Sequence, residues 1–409
     1  MQIKFSPPYI DEDVLREVKD SLLSGWITTG PKVKALEDEI KIYTHSKACN
    51  AVNSWTSGAI LALKWLGVKE GDEVIVPAYT YCATAMAVME AGAKPIMVDI
   101  DDSMTINPEE VRKAITPNTK AIIPVDFGGI PCNYKRLKEI ITDIDVLKMF
   151  TPNSENQKRL GRIMLLSDSA HSLGATIGKE SIAQTVDICV ISLHAVKNIT
   201  SAEGGIICLN LPERFDNKEL YKWFKIMSLN GQTKDAFSKN QLGAWRYDVV
   251  DMGLKINLAD VNAAIALAQF RKYDYLLSER KRVFDCYSKR LSNYNWAYLP
   301  YPNSNVGRFD YTSSYHLFPL RIRDFTALKR DKLIDMLAKK DIATNVHYVP
   351  LPELTLFKKL GYKAEDYPIS HKTFEQEITL PLYPQLTNDQ IDFLLNNLIF
   401  AHDILSKTQ

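Results

Sequence analysis

From about residue 50 to 210 short apolar runs alternate with stretches of helical spacing. The runs are DEVIVPA (72–78), KPIMVDI (94–100), TKAIIPVDF (119–127), RIMLLSD (162–168), DICVISL (187–193) and GGIICLN (204–210). Between the early ones lie YCATAMAVMEAG (81–92) and NPEEVRKAI (107–115), which read as helices. Runs that are apolar throughout, rather than alternating, predict strands buried on both faces of a mostly parallel sheet. In such sheets ligands collect outside the carboxyl ends of the strands. Asp168, the turn after residue 193 and the PAYTY stretch (77–81) all fall at such ends.

The pattern changes on either side of this block. Residues 144–161 turn polar and lose periodicity, which predicts a surface loop or insertion. From 258 to 294 apolar residues return at helical spacing, predicting one long helix. Beyond it come shorter mixed elements: YHLFPLRI (315–322), RDKLIDMLAKKD (330–341), TNVHYVP (344–350) and a closing helix, NDQIDFLLNNLIFAHDIL (388–405). The expected organisation is an N-terminal arm (1–30), a large α/β domain (31–284) and a smaller C-terminal α+β domain (285–409).

Composition narrows the partners. The chain has 409 residues, 46% of them hydrophobic and 24% charged, with a formal net charge of +1. Lysine and arginine form no long basic block, so neither nucleic acid nor a membrane surface is an expected partner. Cys49, Cys82, Cys132, Cys189, Cys208 and Cys286 are scattered without CxxC spacing, so no metal site and no dense disulfide framework is expected. The first residues, MQIKFSPPYIDEDVLREV, lack the basic and apolar regions of a secretory signal, and no apolar run reaches the roughly 18 residues that span a bilayer. A cytoplasmic protein with reduced thiols is the expectation.

Candidate chemistry centres on SLHAVKNITSAEGGIICLN (192–210). Lys197 follows a strand-like run and precedes Gly204 and Gly205. A lysine crowded among neutral groups at a strand end can lose its charge and attack a carbonyl. Asp168 ends an earlier run, in LLSDSAHSLGA, where a carboxylate can pair with a protonated pyridine nitrogen. Thr56 and Ser57, in NSWTSG, begin an apolar helix whose free amides and dipole favour a phosphate. Taken singly, Lys197 reads as a surface charge, Asp168 as a helix cap and Thr56 and Ser57 as capping residues. An amine, an acid and a phosphate cradle together are the parts of a pyridoxal phosphate enzyme.

The whole chain resembles sugar aminotransferases of the DegT/StrS type, in the aspartate-aminotransferase fold group. SGWITTGPKVKALE (24–37) is similar to the family's N-terminal signature, and SLHAVKNITSAEGG to its SFHxxKNxxxGEGG, with Leu193 for the usual Phe and Ala202 for the first Gly. SDSAHSLGA resembles EDAAHAxGA, and DMGLKINLADVNAAIALAQF resembles ELGYKYNxxDxxAAIGxxQL. YHLFPLRI, TNVHYVPL and ITLPLYPQL follow in the family's order.

The resemblance implies a seven-stranded, mostly parallel sheet flanked by helices, with a Schiff base between Lys197 and pyridoxal phosphate. It places Asp168 at the ring nitrogen and Tyr81 on the ring face, though Tyr81 also reads as a core strand-end residue. His171 falls near the ring's phenolic oxygen, with a structural role as the competing reading; His316 reads as structural. Thr56, Ser57 and Ser192 meet the phosphate, and Asn257 reaches it from a partner subunit, implying a homodimer with shared sites. His347 and Tyr348 fall near the substrate. Trp26, Thr28 and Thr29 form either a lip over the site or part of an arm packed on the partner.

The implied reaction passes an amino group from glutamate, through pyridoxamine phosphate, to a nucleotide-linked keto sugar used for surface polysaccharide or other amino-sugar glycans. The first expectation for the acceptor is a UDP-linked 4-keto-6-deoxy N-acetylhexosamine. A dTDP- or GDP-linked sugar, amination at carbon 3, and a non-catalytic cofactor-binding protein of the same fold stay open. Sugar 3-dehydration is disfavoured, because the relative that performs it has histidine in place of the lysine. The stretch 229–250 is expected to contribute to the acceptor site.

Overall fold

A computed structural model describes residues 1–234, 245–300 and 310–407, so part of the 229–250 stretch (235–244) lies outside the described residues. The large sheet has seven strands: β1 (Ala48–Val52), β2 (Glu73–Pro77), β3 (Lys94–Val98), β4 (Thr119–Ile122), β5 (Met164–Asp168), β6 (Ile188–Ser192) and β7 (Gly205–Leu209). Their order is β1-β7-β6-β5-β4-β2-β3. Only β7 runs antiparallel, to both β1 and β6. The fold class expected from the sequence is therefore the one observed.

Both faces of this sheet are covered. Along β6, Ile188 and Val190 enter one core while Cys189 and Ile191 enter the other. The period of two is present, but both phases are apolar, and the sequence therefore shows unbroken hydrophobic runs. Each fully buried aliphatic side chain of this kind contributes roughly 1.5–3 kcal/mol. All six predicted strands are present. β1 lies outside the predicted runs. It carries the polar Asn50 at its centre, and this interrupts the apolar signal although the whole strand is buried.

Two expectations need correction. The predicted helix over 258–294 is two helices, Asp260–Phe270 and Tyr273–Leu291, separated at Arg271 and Lys272. No proline or glycine breaks it. The Lys272 amine is held by Asp11 and Asp13 beside the N-terminal helix, and Tyr273 OH donates to the Leu173 carbonyl at 2.6 Å. These contacts turn the chain from the large sheet towards the small domain. Residues 144–161 are not a simple loop either. They form the helices Ile144–Met149 and Glu155–Leu160. Their polarity has a structural use: Ser154 Oγ and Asn156 Nδ2 each donate, at 2.6 Å, to the last carbonyls of the Trp55–Leu66 helix.

The smaller C-terminal α+β domain has a three-stranded antiparallel sheet, Ala297–Tyr298, Phe318–Ile322 and Glu377–Leu380. Helices Ala327–Ala338 and Asn388–Ser406 cover it. Its core joins Tyr287, Phe318, Leu320, Leu333 and Leu394, and also Ile3, which pairs with Ile342. The chain's first residues thus pack with its last third, while helix Glu12–Leu23 lies on helix Asp260–Phe270.

Candidate active site

The carboxyl ends of β2, β4, β5 and β6 open into a cavity of about 610 Å³, closed from the other side by residues 345–348 of the small domain. Lys197 lies on the turn after β6. Its N–H donates to the His194 carbonyl at 2.9 Å, and Leu193 anchors both limbs: its N–H donates to Gly204 O and its carbonyl accepts Ser201 N–H, each at 2.9 Å. Ala202, where the family pattern has glycine, sits at φ +66°, a left-handed conformation that disfavours a side chain.

The Lys197 amine forms no hydrogen bond among the described residues. It is only half-buried by area, because it faces the cavity, but the crowding protein around it pulls its pKa down to about 8. Nearby Asp168 opposes that shift by favouring the charged amine. Asp168 is itself buried at the end of β5. Desolvation pushes its carboxyl up to about 7, partly offset by donors from Thr84 Oγ1 (2.9 Å) and the Ala170 N–H (3.2 Å). Thr84 was invisible to sequence reading because it sits on the Ala83–Glu90 helix like any other helical threonine.

Thr56, Tyr81, Asp168, His171, Ser192, Lys197, His347 and Tyr348 all line this one cavity. Tyr81 is 59% exposed, its ring 5.8 Å from that of Tyr348. His171 is buried; its Nδ1 accepts the Gly128 N–H at 3.2 Å, which leaves the proton on Nε2, 3.3 Å from Tyr348 OH. His316 lies behind His171, the rings tilted by 35° with centroids 4.3 Å apart, and bonds Asn198 Oδ1 at 2.8 Å. Asn198 Nδ2 donates to Ser314 O (2.8 Å), so its oxygen is the acceptor and His316 Nδ1 carries the proton.

Five of the residues named from the sequence do not line the cavity. Ser57 is one turn into the Trp55–Leu66 helix, its N–H on the Ser54 hydroxyl (3.1 Å) as an N-terminal cap. Asn257 and Thr29 bond to each other at 2.7 Å and line a separate surface cleft with Tyr221 and Lys225. Trp26 and Thr28 belong to the same corner: Trp26 Nε1 donates to Thr29 O (3.1 Å) and Asp260 N–H to Thr28 O (3.3 Å).

The fold and site together define a class, the lysine-bearing α/β aminotransferases, and comparison with known proteins agrees. Residues 8–150 and 156–398 match the sequence profile of the DegT/DnrJ/EryC1/StrS aminotransferase family. The chain belongs to that family. The five residues between the two matched segments, 151–155, fall in the polar 144–161 region.

A putative sugar aminotransferase of Streptococcus pneumoniae, Spr1654, solved in its PMP form, superposes with a TM-score of 0.93 at 40% identity, covering 99% of this chain and 100% of that one. The same protein has also been solved with PLP, at 39% identity. The spore coat polysaccharide biosynthesis protein SpsC of Bacillus subtilis is 31% identical over 95% of this chain and 94% of its own. An uncharacterized protein of Methanocaldococcus jannaschii, MJ1066, is 35% identical over 96% of both chains. PseC of Helicobacter pylori, at 22% identity and TM-score 0.85, shares the fold.

Pyridoxal phosphate, the cofactor expected from the sequence, is carried by the pneumococcal protein, and the residues of this cavity fit it. Among the described residues Asp168 is a buried acid with no cation bonded to it, and Lys197 an amine with no acceptor. At the other end, the first amides of the Trp55–Leu66 helix have no intrahelical acceptor. A Cβ on Gly205 would lie 2.7 Å from the Ser54 carbonyl and 2.8 Å from Trp55 N, so only glycine lets β7 abut this helix start. Among the described residues no helix is long and apolar enough to cross a membrane.

Proposed function

We propose that this protein is a cytoplasmic pyridoxal phosphate-dependent aminotransferase that moves an amino group from glutamate to a nucleotide-linked keto sugar. The first candidate acceptor is a UDP-linked 4-keto-6-deoxy N-acetylhexosamine. The observation that carries the reading is the Lys197 amine, without a hydrogen bond among the described residues, its pKa lowered to about 8, and facing the same cavity as the buried Asp168. The pneumococcal and B. subtilis relatives support the sugar, since their names speak of a sugar aminotransferase and of polysaccharide biosynthesis.

When bound, the cofactor supplies an aldehyde to hold the amino group and an electron-poor ring that makes the adjacent C–H acidic. The chain's residues do the rest. Lys197 tethers the cofactor and, once displaced by substrate, carries the proton to and from the reacting carbon, for which an amine with a pKa near 8 suits neutral pH. Asp168, oriented by Thr84, would hold the ring nitrogen, and a protonated partner there would favour its charged form. Tyr81 would cover the ring face, and the His171 Nε2–H, 3.3 Å from Tyr348 OH, would be the donor available to the ring oxygen. Thr56 and Ser192 line the cavity and would take the phosphate, joined by Ser57 from the same helix start.

Asn257 and Thr29 act in a second copy's site. Within one chain they face a different cleft, so service to a Lys197 cavity requires a homodimer. Apolar Ile27, Val249, Val250 and Met252, all more than half exposed, lie on the segments around that cleft and supply a surface for the partner. His347 and Tyr348 face the substrate side.

The test has two parts. Glutamate should convert the cofactor's absorbance to that of the amine form, and the loaded protein should then aminate one of a panel of UDP-, dTDP- and GDP-linked keto sugars, read by mass spectrometry. No spectral change with any amino acid would remove the transaminase reading; conversion without any sugar product would remove the acceptor.

A further inference from the structure

His347 is held on almost every side. Its N–H donates to Glu377 Oε2 at 2.9 Å, its carbonyl accepts Tyr79 OH at 2.5 Å, and Phe5 stacks on its ring at 5.6 Å. Its Nδ1 is 2.8 Å from Thr379 Oγ1, and Thr379 is hydrogen-bonded in turn to Glu377 Oε1. Glu377 and Thr379 are fully buried in the small domain's last strand, whereas the His347 ring borders the cavity. Among the described residues the imidazole's Nε2 has no partner, so the unengaged edge is the one away from Thr379.

Two hydrogen-bond arrangements satisfy this chain. With Glu377 ionised, Thr379 donates to Oε1 and its oxygen accepts the Nδ1 proton of His347, so Nε2 presents a lone pair. With Glu377 protonated, Oε2 still accepts the His347 N–H, so the acid proton lies on Oε1 and points to Thr379. The threonine hydroxyl then turns to Nδ1, and Nε2 presents an N–H. Passing from the first to the second takes up one proton. It enters at Nε2, the Nδ1 proton moves to Thr379 Oγ1, and the threonine's proton moves to Oε1.

We propose that Glu377, Thr379 and His347 form a relay that sets the hydrogen-bond polarity of the His347 Nε2 edge, and that with Glu377 ionised this edge accepts a hydroxyl proton of the sugar substrate. The identity of the substrate rests on the function proposed above; the relay itself does not. Glu377 and Thr379 are positioning residues that act through His347.

The surroundings keep both arrangements within reach. Burial raises the Glu377 carboxyl to about 8, eased by Thr379, the His347 N–H and the charge of Arg330. Arg330 Nη1 bonds the Glu377 carbonyl rather than its carboxylate, at 3.0 Å. Arg321, opposite Glu377 in the strand pair, turns its guanidinium to the Asp102 carbonyl and the Tyr298 ring. The other ionisable neighbours are the phenols of Tyr79 and Tyr348, whose pKa values are pushed up by burial, and, beside His347, the imidazoles of His171 and His316, which burial lowers well below the ordinary value. On the cavity side Lys197 faces His347; burial first, then that amine, lower the imidazole to about 3, which keeps it neutral and makes the choice one of tautomer.

Nitrogen-15 spectra of the full-length, cofactor-loaded, histidine-labelled protein test this, with the His347 signal identified by its loss in His347→Gln. The Nδ1–H tautomer is expected at alkaline pH, passing to Nε2–H on acidification through the Glu377 titration. In Glu377→Gln the amide oxygen must accept the His347 N–H, so its NH2 faces Thr379 and Nε2–H is expected at every pH. Thr379→Val should remove the transition without locking the ring in the Nε2–H form. In kinetics, the KM for the sugar should rise roughly threefold to tenfold in Glu377→Gln above the transition, the worth of one neutral hydrogen bond, and lose its wild-type pH dependence.

A single His347 tautomer across the pH range in the wild type, or an unchanged transition in Glu377→Gln, would overturn the relay while leaving transamination standing. Tautomers that switch as described, with an unaltered KM profile for the sugar, would overturn the hydroxyl assignment. Absence of any sugar turnover would instead strike the function proposed above.

Discussion

Lys120 and Lys197 stand at opposite ends of strands in the same sheet, and their amines meet opposite conditions. Lys120, at the amino end of β4, is 2% exposed and fully used: its amine donates to the Pro117 carbonyl at 2.8 Å and the Thr151 carbonyl at 2.6 Å, with Asp72 at 3.9 Å. Lys197, beyond the carboxyl end of β6, has more open space and no acceptor. Burial lowers the pKa of both. What separates structure from chemistry is therefore the set of acceptors, not burial. Saturated by carbonyls, a buried amine locks a loop in place; left unsaturated beside a cavity, it is available to a carbonyl carbon.

The largest effect expected from this contrast is in a pair of variants. Lys197→Ala should lower transamination by at least about a thousandfold, since it removes both tether and proton carrier. Lys120→Met should keep kcat and instead lose about 1–3 kcal/mol of stability, because buried carbonyls lose their donor. Steady-state turnover and urea unfolding of both proteins check this; substantial turnover in the alanine variant breaks the comparison.

Next comes pH. Cofactor attachment to the apoprotein should rise with pH around a midpoint near 8, as the free amine appears, and Asp168→Asn should move that midpoint down because the carboxylate favours the charged amine. Linkage has the same origin. The folded lysine binds protons less well than the unfolded one between about 8 and the ordinary 10.5, so the apoprotein gains stability from this group as pH rises through that window. Lys197→Met should consequently stabilise the apoprotein at pH 7 and do so less at pH 10.5, measured by thermal unfolding.

The smallest effect sharpens the local picture. Ala202→Gly should stabilise the protein by about 1 kcal/mol, by relieving a left-handed alanine on the lysine turn. A destabilised variant would show that the alanine methyl has a packing role outweighing its backbone strain.

Much of this was legible in the chain. Runs such as DICVISL reveal buried strands because both faces of β6 enter apolar cores, and the ordered motifs around Lys197, Asp168 and Thr56 point to one kind of chemistry. The readings that failed are those where polar residues serve distant partners. Asn50 hid β1. Ser154 and Asn156 made a pair of helices look like a loop while capping another helix, and Lys272 ended a helix through two aspartates far away in sequence. Thr84 and Glu377 could not be found at all, because nothing local distinguishes a threonine that orients a carboxylate or a glutamate wired to a histidine.

By itself the sequence determined the layered α/β architecture, the family and the residue types available for catalysis, since hydrophobic periodicity and short motifs are local properties. Tertiary structure decided which of those residues share a cavity, that Thr29 and Asn257 face elsewhere within one chain, and that the Lys197 amine is left without an acceptor among the described residues. Those outcomes depend on hydrogen-bond partners and desolvation supplied by segments far apart along the chain, and such partners come into being only when the fold brings them together.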